Sequence, residues 1–208
     1  MTNVASAQIN PLAVLAVEKK MPRHYTLAEY LRREENSSER HEYYDGIIKK
    51  VPMARTPHNL IITNVSTALD TVFENQNKDF YVMSNSQLVY LPGLNFSLYP
   101  DVLVVAENLM HFDTNQVLLI NPILIVAVLS RSTRSYDRKQ KFEEYKTLDS
   151  FKEYVLVDQN NCFVEIRFRE KPNTWVENQY TSLNDSVVLN SVGCSIDVAK
   201  IYRRIVFK

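Results

Sequence analysis

Glycine is nearly missing from this chain, with 3 in 208 residues. No G-x-x-x-x-G-K-[ST] or G-x-G-x-x-G string occurs, which excludes a glycine-rich loop of the kind that cradles nucleotide phosphates. Cysteine is as sparse: Cys162 and Cys194 have no metal-binding or redox spacing and read as reduced, partly buried thiols. Net charge of either sign is lacking too. The 24 Lys and Arg balance 24 Asp and Glu, which argues against a strongly electrostatic, non-specific nucleic-acid binder and leaves room only for a local basic patch. The apolar run Pro11 to Val17 has no basic leader and is too short to span a membrane, so a cytoplasmic protein with no membrane partner is expected.

What is present is ordinary globular material, 45% hydrophobic and 23% charged, with 12 Tyr and 9 Phe. The aromatic richness suggests a homodimer, since aromatics concentrate at interfaces. Residues 1–24 read as a loose arm and 25–208 as one domain. Thr26 with Glu29 forms a capping box that opens a short helix ending near Glu35. Arg40 to Met53 reads as a hairpin turning at Asp45-Gly46, and Pro57 to Phe73 as an amphipathic helix. Phe80 to Leu91 alternates as one strand. Tyr99 to Val105 and Pro122 to Ser130 are apolar, β-branched strand segments. Ser135 to Leu148 reads as one helix burying Phe142, Tyr145 and Leu148, with Lys139 and Lys141 off that stripe. Strands follow at Glu153 to Asp158, Cys162 to Arg169, Trp175 to Tyr180 and Ser186 to Leu189, then a terminal helix over Ile196 to Arg204. The order implies an α/β (α+β) fold.

Asp101 is the sharpest residue, an acid directly after Pro100 at the head of an apolar strand. Such an Asp serves equally well as a turn residue. A strand-borne Asp beside a second strand-borne acid, with a lysine nearby, is also the arrangement of a metal-dependent phosphodiesterase site. The neighbouring segment, Pro122 to Ser130, carries no acid. Glu42 alone reads as a solvated hairpin residue, and Lys141 as a helix lysine able to reach back over the strand ends. His58 opens a helix, where it reads as solvated or as a phosphate contact. Arg131, Arg134, Arg138 and Lys139 add positive charge nearby and are candidate nucleic-acid contacts.

Taken in order, Tyr25-Thr26-Leu27-Ala28-Glu29-Tyr30, Arg40-His41-Glu42-Tyr43-Tyr44-Asp45-Gly46, Pro57-His58-Asn59 and Tyr99-Pro100-Asp101-Val102 form a series of motifs. Val128-Leu129-Ser130, Ser132-Thr133, Tyr136-Asp137-Arg138, Lys141-Phe142, Tyr145 and Glu153-Tyr154-Val155-Leu156-Val157 continue it. The series resembles a large bacterial family of restriction-endonuclease-like proteins with the PD-(D/E)XK nuclease fold. The resemblance implies a mixed central β-sheet flanked by helices, with an N-terminal helix and β-hairpin. It implies a Mg2+-dependent endonuclease that hydrolyses DNA; residual activity with Mn2+ is expected separately, because Mn2+ binds N and O ligands more avidly than Mg2+. It implies catalytic residues Glu42, Asp101 and Lys141, with Asp101 and Glu42 on the metal. The family reads Glu-Val-Leu-Ser where this chain reads Ala127-Val128-Leu129-Ser130, and Pro where it has Arg131. Ala127 therefore marks a degenerate site position. An impaired enzyme and an inactive relative that binds nucleic acid or protein are both open readings. Asp137, Glu143 and Glu144 are nearby acids that could in principle migrate into the missing role, and nothing in the sequence shows that any of them does.

Overall fold

The computed structural model describes residues 23–207; the apolar run Pro11 to Val17 and nearly all of the expected arm lie outside them. Helix α1 (Leu27–Glu35) has the expected capping box: the Glu29 amide donates to the Thr26 hydroxyl at 3.2 Å and the Thr26 amide to the Glu29 carboxylate at 2.8 Å. Strands β1 (His41–Tyr44) and β2 (Ile47–Lys50) form the hairpin. Its turn has positive φ at both Asp45 and Gly46, the mirror-image geometry that matches strand twist. A Cβ on Gly46 would meet the His24 ring at 2.3 Å, so only glycine fits. Helix α2 (Thr56–Asn75) follows.

The segment Phe80 to Leu91 departs from expectation. It divides into β3 (Tyr81–Ser84) and β4 (Leu88–Leu91), which lie in different sheets. Asn85 takes a left-handed backbone between them and breaks the strand. Then come β5 (Phe96–Leu98), β6 (Val102–Val105), β7 (Leu118–Leu119) and β8 (Leu124–Leu129). The expected helix over Ser135 to Leu148 is also two pieces, α3 (Arg134–Arg138) and α4 (Gln140–Tyr145). Lys139 separates them with φ −121° and ψ −77°, outside the helical region. Strands β9 (Glu153–Asp158), β10 (Val164–Lys171), β11 (Thr174–Tyr180), β12 (Ser186–Leu189) and β13 (Cys194–Asp197) complete the sheets. The terminal helix is only α5 (Val198–Ile201), because Ile196 belongs to the β12–β13 hairpin.

A six-stranded mixed sheet, ordered β11-β10-β9-β8-β6-β3, is central. All six residues of β8 are buried, as expected of a strand covered on both faces. On one face Leu124, Val126 and Val128 pack with α2 and the β12–β13 hairpin. On the other, Ile125, Ala127 and Leu129 pack with α4 and with β4 and β5 of a five-stranded sheet ordered β2-β1-β5-β4-β7. Only Tyr99-Pro100-Asp101 joins β5 in that sheet to β6 in the central one. This corner positions the site. No helix among the described residues is long and apolar enough to cross a membrane.

Candidate active site

The corner opens into a cavity of about 850 Å³ lined by Glu42, His58, Asp101, Asp137 and Lys141, with Arg131 at its edge. Strands β6 and β8 run antiparallel with Val102 opposite Val126, and one further step of that register puts Asp101 across from Ala127. The Val128 amide donates to Asp101 Oδ2 at 2.7 Å, which fixes the carboxylate at this strand end. Asp101 Oδ1 meets His58 Nε2 at 3.0 Å, so the first turn of α2 reaches the same carboxylate. Directly opposed residues on neighbouring antiparallel strands carry their side chains on one face, about 5 Å apart. A carboxylate at 127 would therefore stand beside Asp101. Ala127 instead buries its methyl group and is 4% exposed.

Glu42 reaches the corner from β1. Its Oε1 accepts from Lys141 Nζ at 3.2 Å and from the Tyr99 amide at 3.1 Å, and its Oε2 from the Tyr44 hydroxyl at 2.7 Å. Lys141 also donates to the Tyr99 carbonyl at 3.3 Å. The expectation that Lys141 lies off the buried stripe is corrected here: it is 9% exposed, because the break at Lys139 turns α4 so that this residue faces inward. Burial would push its pKa down. The charge of Glu42, with further contributions from Tyr145 and Asp137, outweighs burial and holds the group well above the usual lysine range. Lys141 is thus a fixed ammonium ion.

Around this pair runs a chain of hydroxyls missing from the sequence reading. The Tyr44 and Tyr136 hydroxyls lie 3.0 Å apart, and Tyr136 donates to Glu144 Oε2 at 2.6 Å. Burial raises the pKa of Tyr44 and of Tyr136, so both remain protonated donors. The motifs Arg40-His41-Glu42-Tyr43-Tyr44-Asp45-Gly46 and Tyr136-Asp137-Arg138 carry these tyrosines, but nothing in the sequence shows that the two hydroxyls meet. Backbone groups such as those of Tyr99 leave no trace in sequence.

The expected cationic contacts separate. Arg131 is exposed and borders the cavity. Arg134 also lines it but pairs with Asp158, and Arg138 pairs with the fully buried Glu165 away from the cavity lining. Lys139 is exposed and does not line the cavity. Among the described residues, no group of three or more His, Cys, Asp or Glu side chains is gathered closely enough to hold a metal unaided. Mg2+ commonly takes only one or two carboxylates and fills its remaining positions with water and substrate phosphate oxygens, so the carboxylates lining this cavity fit such an ion.

Residues 27–199 match the model of Uma2, a family described as "Putative restriction endonuclease". The chain belongs to this family. Two relatives from Synechocystis sp. (strain ATCC 27184 / PCC 6803 / Kazusa) carry the names Uncharacterized protein sll1609 and Uncharacterized protein slr1290. The first is 35% identical over 64% of this chain and 75% of its own length, the second 30% identical over 86% and 92%. A crystal structure described as a putative nuclease belonging to DUF820, from Anabaena variabilis ATCC 29413, superposes with a TM-score of 0.68. The likeness covers 88% of this chain and 99% of that one at 16% identity, and it shows that this Uma2 chain has the restriction-endonuclease-like fold.

Proposed function

We propose that this protein is a divalent-metal-dependent endonuclease that hydrolyses DNA phosphodiester bonds slowly, because Ala127 leaves its site one carboxylate short. The observation that carries this reading is the meeting of Asp101 and the Glu42-held Lys141 in a single cavity at one corner of the sheets, with position 127 next to Asp101 in the strand register. A bound divalent cation would neutralise phosphate charge and make a bound water more acidic. Asp101 would hold that cation. Glu42, the other metal ligand expected from the family, also fixes Lys141; like those of Asp101, both its oxygens are engaged in hydrogen bonds, and each carboxylate would exchange one of them for the cation. Lys141 keeps its proton at Nζ and donates to a phosphate oxygen or orients the attacking water; it is not a base. His58, against Asp101, orients the carboxylate and faces a bound phosphate. Exposed Arg131 contacts the DNA backbone at the cavity edge.

A second reading, a nucleic-acid-binding relative without activity, is favoured by the buried methyl group at Ala127. Nicking of supercoiled plasmid and cutting of linear DNA, with Mg2+ and with Mn2+, separate the two. The chain is expected to cut slowly and Asp101→Ala not at all. Ala127→Glu is expected to be faster by about two to three orders of magnitude, which corresponds to a few kcal/mol of transition-state stabilisation. If neither the parent chain nor Ala127→Glu cuts DNA, the nuclease reading fails.

A further inference from the structure

We propose that Gln159 reads an adenine base beside the phosphate bound at the corner, which makes it a specificity-determining residue. This deepens the DNA reading above and rests on it.

Gln159 follows β9 and lines the corner cavity, yet it is only 8% exposed. Its Oε1 is wholly enclosed and accepts no hydrogen bond. The turn that carries it is otherwise tied down. The Gln159 amide donates to the Leu129 carbonyl at 3.3 Å and the Asn160 amide to Asp158 Oδ1 at 2.8 Å, while Arg134 pairs with the other oxygen of Asp158. The backbone is thus fixed, and the Gln159 oxygen is the group left over. A buried acceptor without a donor destabilises the free protein. A ligand whose donor draws the carboxamide into the cavity relieves that cost.

The place of Gln159 in the sheet says which part of a nucleic acid meets it. Strands β8 and β9 run parallel with Leu129 beside Asp158, and one further step puts Ser130 beside Gln159. Asp101 heads β6, on the other side of β8. Two strand spacings, about 10 Å or more, therefore separate the two residues. A phosphate held near Asp101 and Lys141 leaves Gln159 to a neighbouring base. Charge divides the cavity in the same way. Exposed Arg55 and Arg131 suit phosphates, whereas Gln159 and the exposed Asn160 beside it are neutral.

A carboxamide offers one acceptor and one donor side by side. In the major groove, adenine is the base that offers the complement, an N6 donor next to the N7 acceptor. Guanine presents two acceptors there, thymine an acceptor and a methyl group, and cytosine a donor alone.

The test is fluorescence anisotropy of labelled duplexes with the full chain, in EDTA so that nothing is cut. Three duplexes of equal length are compared: alternating A·T, the same duplex with 7-deazaadenine for every adenine, and alternating G·C. The deaza base lacks N7 and keeps the pairing, the backbone charge and the minor groove. The parent is expected to bind the A·T duplex about tenfold more tightly than either of the others, the scale of one bidentate base contact. Gln159→Leu is expected to bind all three alike, at the parent's affinity for the deaza duplex. Leucine is close in size and removes the unpaired oxygen, so this variant should unfold at the parent's temperature or above it. Equal affinity of the parent for the A·T and deaza duplexes overturns the proposal and needs no variant. A preference that survives in Gln159→Leu overturns it too, as does a parent that binds none of the duplexes. The two readings fail separately. Adenine selectivity lost in Gln159→Leu, with DNA left uncut in Mg2+ and Mn2+, removes the nuclease activity and keeps this proposal; cleavage without such selectivity does the reverse.

Discussion

Lys141 shows how a single residue gains its character from its surroundings. A helix lysine is ordinarily a solvated surface group, and the spacing in the sequence gives no reason to think otherwise. Here the irregular backbone at Lys139 turns it inward, where Glu42 and the Tyr99 carbonyl receive it. Asp101 was legible because an acid after proline at the head of a β-branched run is unusual. Glu42 was legible only through the family's motif order, because its importance depends on Tyr99 and Lys141, 57 and 99 residues away. The cysteines were read correctly as free thiols, and their chemistry is testable. Burial pushes Cys194 up to about 11 and also raises Cys162, which is less enclosed. The thiolate is the reactive form, so both should react slowly with an aromatic disulfide reagent near pH 8, Cys162 ahead of Cys194. Mass spectrometry after partial labelling checks the order; prior modification of Cys194 would contradict the packing described.

At the scale of elements, the long periodic segments were the readable ones. Helix α2 and strands β9 and β12 match their expected positions because each carries a continuous apolar pattern. The failures share a cause: a local break overrode periodicity. Asn85 splits an alternating run between two sheets, Lys139 splits a helix, and pairing with β12 makes a strand of Cys194–Asp197. Another device that spacing hides is Glu153, wholly buried at the start of β9. It accepts from the Asn190 and Ser191 amides at 3.0 Å each and from the Ser191 hydroxyl at 2.6 Å, tying the β12–β13 turn to the central sheet. Burial raises its pKa, and the bonds from Ser191 and Asn190 oppose that rise. A carboxyl whose folded pKa lies above its unfolded value contributes stability below the unfolded value and loses it as pH rises through the folded one. Urea unfolding of the parent and of Glu153→Gln should therefore diverge with pH. The parent's stability relative to the variant should fall as pH rises from the ordinary carboxylate range near 4.5 toward neutrality. A difference that stays flat, or grows, would show that Glu153 is not raised.

For the whole molecule, the balance of 24 basic and 24 acidic residues means that any DNA affinity must come from a local arrangement. The cavity supplies one. Arg55 and Arg131 are exposed along its lining and join no ion pair among the described residues, whereas Arg40 donates to the Asn85 carbonyl and Arg134 pairs with Asp158. Two or so phosphate contacts release few counterions. The slope of log affinity against log salt should then be about −2, and binding to non-specific duplex should be weak, with Kd on the order of 10⁻⁴ M at physiological salt. Replacing Arg55 or Arg131 by Ala should each make that slope shallower by about 1, without changing which sequences are preferred. Fluorescence anisotropy of a labelled duplex in EDTA measures this with cleavage switched off. A steep slope that neither substitution alters would put the nucleic acid on another face and separate DNA binding from the corner where Asp101 and Lys141 meet.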